Sequence, residues 1–98
     1  MPEPLSDDQI TAGLAKAEGW TREGDELTAT YKVGRANALP FYTAVAAAED
    51  ELNHHANVHI VYGTMAFKVN THDAGNAITE LDLALAEKIA AIAADQGF

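Results

Sequence analysis

Cysteine is absent from the whole chain, which excludes disulfides, thiolate metal sites and thiol nucleophiles together. Serine occurs once, at Ser6, inside a candidate helix cap, so a serine hydrolase has no nucleophile to offer. Basic residues are few: six Lys and Arg stand against fifteen Asp and Glu, a formal charge of −9. Nucleic-acid phosphates need a basic footprint that this balance does not provide. No apolar run approaches the roughly 20 residues that span a bilayer. Met1-Pro2-Glu3-Pro4 carries no basic region ahead of an apolar block, so neither membrane span nor secretory leader is expected, and a cytoplasmic protein is. Glycine-rich phosphate loops are missing too, because Asp73-Ala74-Gly75-Asn76 is a turn with a single glycine.

What remains is 98 residues with 48% hydrophobic content, enough for a single domain over residues 1–98 around one modest core. No repeat, linker or low-complexity tract divides it. Ser6-Asp7-Asp8-Gln9 reads as a capping box, with Ile10, Leu14 and Ala17 following at helical spacing and Gly19 as the stop. Trp20 to Arg22 reads as a short strand that turns through Glu23-Gly24-Asp25 into the alternating strand Leu27 to Val33. A second helix is expected from Asn37 as N-cap, with Pro40 in its first turn. Its core stripe is Phe41, Val45, Ala48 and Leu52. Glu49, Asp50 and Glu51 fall near the C-terminal end of that helix, where carboxylates oppose the dipole; a functional carboxylate and a solvated acidic face both fit.

Val58 to Tyr62 and Met65 to Thr71 flank Gly63-Thr64, which suits a two-residue hairpin loop. Thr79-Glu80-Leu81-Asp82 is a second capping box, with Ile78 and Leu83 as a hydrophobic staple and Leu85, Ile89 and Ile92 as the buried stripe. The expected fold is α+β in the order α-β-β-α-β-β-α, a four-stranded antiparallel sheet with three helices on one face.

Histidine is the side chain whose ordinary pKa lies nearest neutrality, and this chain has four. A loop at Gly63-Thr64 pairs Tyr62 with Met65 and puts Val58, Ile60, Tyr62, Met65, Phe67 and Val69 on the core face. The same ladder, extended, sets His72 opposite position 55, so His54, His55 and His72 gather at one corner. His59 pairs with Lys68, about 13 Å up the strand from that corner at the usual rise per residue, and reads as a surface or interface histidine. Asp82 can return to the same end of the sheet, although a capping-box residue needs no catalytic reason to be acidic. Neither His-x-His on a strand nor His-x-x-x-His on a helix occurs, so no metal is expected. General acid/base chemistry on a small molecule remains.

The ordered set Asp50-x-x-x-His54-His55, Tyr62, Thr71-His72-Asp73-Ala74-Gly75 and Thr79-Glu80-x-Asp82-x-x-Leu85-Ala86 resembles the pterin-4a-carbinolamine dehydratases. The similarity runs the length of the chain, including Gly19-Trp20 and the strand through Tyr31 and Val33. It departs at Ala56, where the family usually has proline after the histidine pair, and at Thr28-Ala29-Thr30, which lacks a common arginine. It departs again in the turn before Asp82, one residue longer, where Asn76-Ala77 replaces a glycine-rich position. The resemblance implies dehydration of a 4a-hydroxytetrahydropterin to the quinonoid dihydropterin, which recycles the cofactor of aromatic amino-acid hydroxylases. It implies a homodimer or homotetramer, a pterin as substrate and no further cofactor. It also implies His54, His55 and His72 as catalytic residues, with Asp50, Thr71 and Asp82 binding or orienting. Asp82 is expected to accept a hydrogen bond from an imidazole and favour its charged form. The second reading is a catalytically silent interaction or assembly module of the same fold.

Overall fold

The computed structural model describes residues 3–98. Its elements are α1 (Asp7–Leu14), β1 (Thr21–Glu23), β2 (Glu26–Lys32), α2 (Arg35–Leu52), β3 (Asn57–Val61), β4 (Thr64–Val69) and α3 (Glu80–Asp95), with a single 3₁₀ turn at His72–Ala74. The four strands form one antiparallel sheet in the order β1-β2-β4-β3, so the expected α+β architecture is what the chain adopts.

Alternation explains which side of the sheet is covered. Leu27 and Ala29 on β2, and Met65, Phe67 and Val69 on β4, are buried together with Phe41 and Val45 of α2 and Leu85 and Ile89 of α3. Aromatic rings knit the centre: Tyr31 lies 5.6 Å from Phe41 and 5.9 Å from Phe67, and the indole N–H of Trp20 donates to the Tyr31 hydroxyl at 2.9 Å. α1 begins at the Ser6 box, with Ser6 Oγ and Gln9 Oε1 each accepting a backbone N–H. It ends at Leu14, earlier than the Gly19 stop implies, and Gly19 instead serves the turn into β1 with φ +88°.

Two further sequence expectations shift. α2 starts at Arg35 behind Gly34, and Asn37 lies in its first turn, where its side-chain amide donates back to the Val33 carbonyl at 2.8 Å. Pro40 therefore falls one turn deeper than expected, where its missing N–H forfeits a bond to the exposed stretch around Ala36. The hairpin turns at Tyr62-Gly63 rather than Gly63-Thr64, so Val61 pairs with Thr64 and Ile60 with Met65.

The cause of that second shift is tertiary. A Cβ on Gly63 would sit 2.2 Å from the Gly34 carbonyl carbon, and Val33 and Gly34 both donate to the Gly63 carbonyl. Gly63 is thus required by backbone approach, and Tyr62 takes the positive φ of 54° itself. A slip of two residues leaves every side chain on its expected face. It does change partners: His59 pairs with Ala66, and Lys68 pairs with Asn57. β3 is also an edge strand, and the expected burial of its apolar residues is incomplete. Val58 is partly buried, but Ile60 is 47% exposed and Tyr62 82%.

Candidate active site

The corner where α2 hands over to the sheet is built by a left-handed cap. Asn53, at φ 49°, ends α2, and the His54 N–H donates to the Glu49 carbonyl at 3.0 Å. The chain then runs through His54 and His55 into β3. Beyond β4, Thr71 makes an isolated bridge to Ala77 that closes a short loop containing His72. His54, His55 and His72 consequently line one open cleft of about 430 Å³, with Asn53, Asn70 and Thr71 supplying polar groups and Leu52 and Leu81 apolar ones. That volume lies within the usual range for small-molecule sites. His59 does not line it; it borders a separate hollow with Lys68.

Asp82 is fully buried behind His54, and its two oxygens divide two tasks. Oδ2 accepts the Thr79 N–H at 2.8 Å, which closes the N-terminal cap of α3, and the Thr71 hydroxyl at 2.8 Å. Oδ1 faces His54 Nε2 at 2.6 Å. The Thr79 and Thr71 hydroxyls lie 2.6 Å apart, and Thr79 Oγ1 also accepts the Leu81 N–H. Each hydroxyl owns one proton, so the chain of donors runs Thr79 to Thr71 to Asp82. With Asp82 acting throughout as acceptor, His54 carries its proton on Nε2. No protein group bonds Nδ1 among the described residues, and no buried side-chain polar atom there lacks a partner, so Nδ1 reaches solvent. Helix capping and histidine orientation, competing explanations from sequence, are both satisfied by one carboxylate.

His72 is exposed and is held differently. Its Nδ1 lies 2.9 Å from the side-chain oxygen of Asn76, which leaves Nε2 as the free nitrogen. Asn76 sits at φ 61°, the left-handed region glycine usually fills, and so supplies a side-chain acceptor where glycine has none. His55 is more open, with Nε2 at 3.7 Å from Asp50 Oδ1 and both side chains well exposed. Asp50 stands beside the cleft mouth rather than in its lining. Thr71 is brought in, but as a buried link to Asp82 as well as a lining residue. No group of three or more His, Asp or Glu side chains converges as a metal site among the described residues.

Two contributors are not singled out by the sequence: Asn76 stands there only as a departure in a turn, and Glu49 only as one of three acidic residues that fit a functional or a solvated role alike. For Asn76 the signal is an asparagine at a left-handed turn position four residues after a histidine. For Glu49 it is a carboxylate on the stripe of Phe41 and Val45, which continues in steps of four.

The family model described as pterin 4 alpha carbinolamine dehydratase matches residues 3–92. The chain belongs to this family. Among its relatives, a protein of Streptomyces avermitilis provisionally named as a pterin-4-alpha-carbinolamine dehydratase is 38% identical over 99 residues, covering 99% of this chain and 98% of that one. A Mycobacteroides abscessus protein with the same provisional name is 40% identical over 86 residues, covering 87% of this chain and 90% of its own. A crystal structure from Brucella melitensis, described as a transcriptional coactivator/pterin dehydratase, matches with a TM-score of 0.85 at 27% identity, covering 92% of this chain and 98% of that chain. In this member of the dehydratase family, the ordered histidines and aspartate of the sequence motif are the groups that meet at the cleft and behind it.

Proposed function

We propose that this chain removes water from a 4a-hydroxytetrahydropterin to give the quinonoid dihydropterin. The single observation that supports the reading most is the convergence of His54, His55 and His72 on one cleft, with buried Asp82 bonded to His54. Breaking the C4a–O bond needs a proton delivered to the departing hydroxyl, so that water leaves. It also needs a base to take a ring N–H proton as the double bond to the ring nitrogen forms. His54 Nδ1 and His72 Nε2 are the two nitrogens left free by their protein partners, on histidines that line the cleft from different chain segments. Either can serve as acid and the other as base. Asp82 fixes the His54 ring and balances the charge it carries when protonated. His55, at the mouth with Asp50 nearby, orients the pterin or exchanges its proton.

The same reading carries recycling of the pterin for aromatic amino-acid hydroxylases, and assembly as a homodimer or homotetramer. What supports assembly is the β3 edge, where Ile60 and Val61 stay 47% and 58% exposed beside unpaired strand groups. The activity is tested by generating a 4a-hydroxytetrahydropterin and following its decay to quinonoid dihydropterin. Acceleration over buffer supports the proposal; a rate equal to buffer refutes it and leaves the silent interaction module.

A further inference from the structure

Glu49 has no part in the chemistry above, yet it is 1% exposed. It also sits near the C-terminal end of α2, where the helix dipole repels a carboxylate. A buried carboxylate persists only when its oxygens are bonded. Tyr42, seven residues earlier on the same helix, donates its hydroxyl to Oε1 at 2.9 Å. Burial first, and the Glu49 carboxylate next, hold that hydroxyl above the usual phenol range, so it stays a donor. The other oxygen, Oε2, accepts the backbone N–H of Ala56 at 2.8 Å. Glu49's own carbonyl accepts the His54 N–H at 3.0 Å. One residue therefore grips the main chain immediately before and immediately after the His54-His55 side chains.

We infer that Glu49 is a positioning residue for the histidine pair, clamping residues 54–56 so that the His54 ring meets Asp82 and His55 opens to the cleft. Position 56 gives the clamp its purpose. A proline there would restrict the backbone by its own ring and carry no N–H to satisfy. Ala56 has the freedom and the N–H, and the Glu49 carboxylate takes up both. Its failure as a positioning residue is separable from failure of the dehydratase reading on which its turnover test rests.

The test uses Glu49→Leu, which keeps the buried volume, removes the acceptor and avoids leaving a buried charge. The expected result is a kcat about 10- to 100-fold lower, the scale of an ångström-sized misplacement, with the fold retained and Tm lowered because the Tyr42 hydroxyl and the Ala56 N–H lose their acceptor. Adding Ala56→Pro should restore most of the lost turnover, while Ala56→Pro alone gains nothing. In parallel, ¹⁵N NMR of the imidazoles should show altered His54 ring signals in Glu49→Leu and unaltered His72 signals, with His54 returning toward wild type in the double variant. Wild-type kcat in Glu49→Leu, or a loss that Ala56→Pro does not repair, overturns the inference. So do His54 ring signals that ignore the substitution, and that readout stands even if the wild-type chain turns over no pterin.

Discussion

Replacing Asp82 by asparagine keeps the shape of a fully buried side chain and removes one acceptor oxygen. The carboxylate serves three donors: the Thr79 N–H and the Thr71 hydroxyl on Oδ2, and His54 Nε2–H on Oδ1. The amide can keep its oxygen toward Thr79 and Thr71, with its NH₂ facing His54. It can instead turn over, leaving two buried donors opposite an NH₂ at about 1–3 kcal/mol each, so the first arrangement wins. Two N–H groups cannot face one another across 2.6 Å, so the neutral His54 ring must move its proton from Nε2 to Nδ1. The nitrogen that reaches solvent then changes from acceptor to donor. The helix cap survives, and the cost to stability is about 1–2 kcal/mol, from the exchange of a charge-assisted bond for a neutral one. For a domain of this size that lowers Tm by about 4–8 °C per kcal/mol. Turnover should fall much further, roughly 10²–10⁴-fold, because an acid/base group held in the wrong tautomer is lost to the reaction. The pH–rate profile should change with it, since the His54 imidazole has lost the carboxylate bonded to it. Steady-state kinetics, thermal melts and ¹⁵N NMR of the imidazoles measure the three consequences. Full turnover with an unchanged pH–rate profile would reduce Asp82 to a helix cap and refute the reasoning.

His54→Ala and His72→Ala should each lower turnover roughly 10²–10⁴-fold with the circular dichroism spectrum intact, the range for loss of one general acid/base group. Pure destabilisation without a specific kinetic effect would make them structural histidines instead. His59→Ala should leave kcat near wild type, because His59 pairs with Ala66 and borders a different hollow. A large loss without a change in assembly would place the site elsewhere. Dialysis against EDTA should leave the rate unchanged, and a loss restored by a divalent metal would overturn the acid/base account.

The parts of this fold legible from sequence are those written locally. Both capping boxes, Ser6 with Gln9 and Thr79 with Asp82, declare themselves within four residues, and the structure forms both. The alternation through Leu27, Ala29 and Tyr31 likewise fixes a half-buried strand without any long-range information. The hairpin loop was misplaced because Gly63 answers to Gly34, nearly thirty residues away, and not to its own turn. The start of α2 moved for a similar reason: Asn37 has the residue type of a cap but spends its side chain on the Val33 carbonyl. At the site, a ladder two residues out of register still returned the end of β4 to the corner after α2, where the three histidines gather. It could not tell that Asp82 would choose His54, nor that its second oxygen would keep the cap. Glu49 was hidden by its acidic neighbours, since Asp50 and Glu51 are solvated and only the helical phase of Glu49 points inward.

The most direct measurement is the decay of a freshly generated 4a-hydroxytetrahydropterin in buffer, with the wild-type chain, and with the His54→Ala/His72→Ala double variant. The wild-type chain should accelerate formation of the quinonoid dihydropterin, and the folded double variant should return the rate to that of buffer. A wild-type rate equal to buffer, or a double variant as fast as wild type, would contradict the proposed activity.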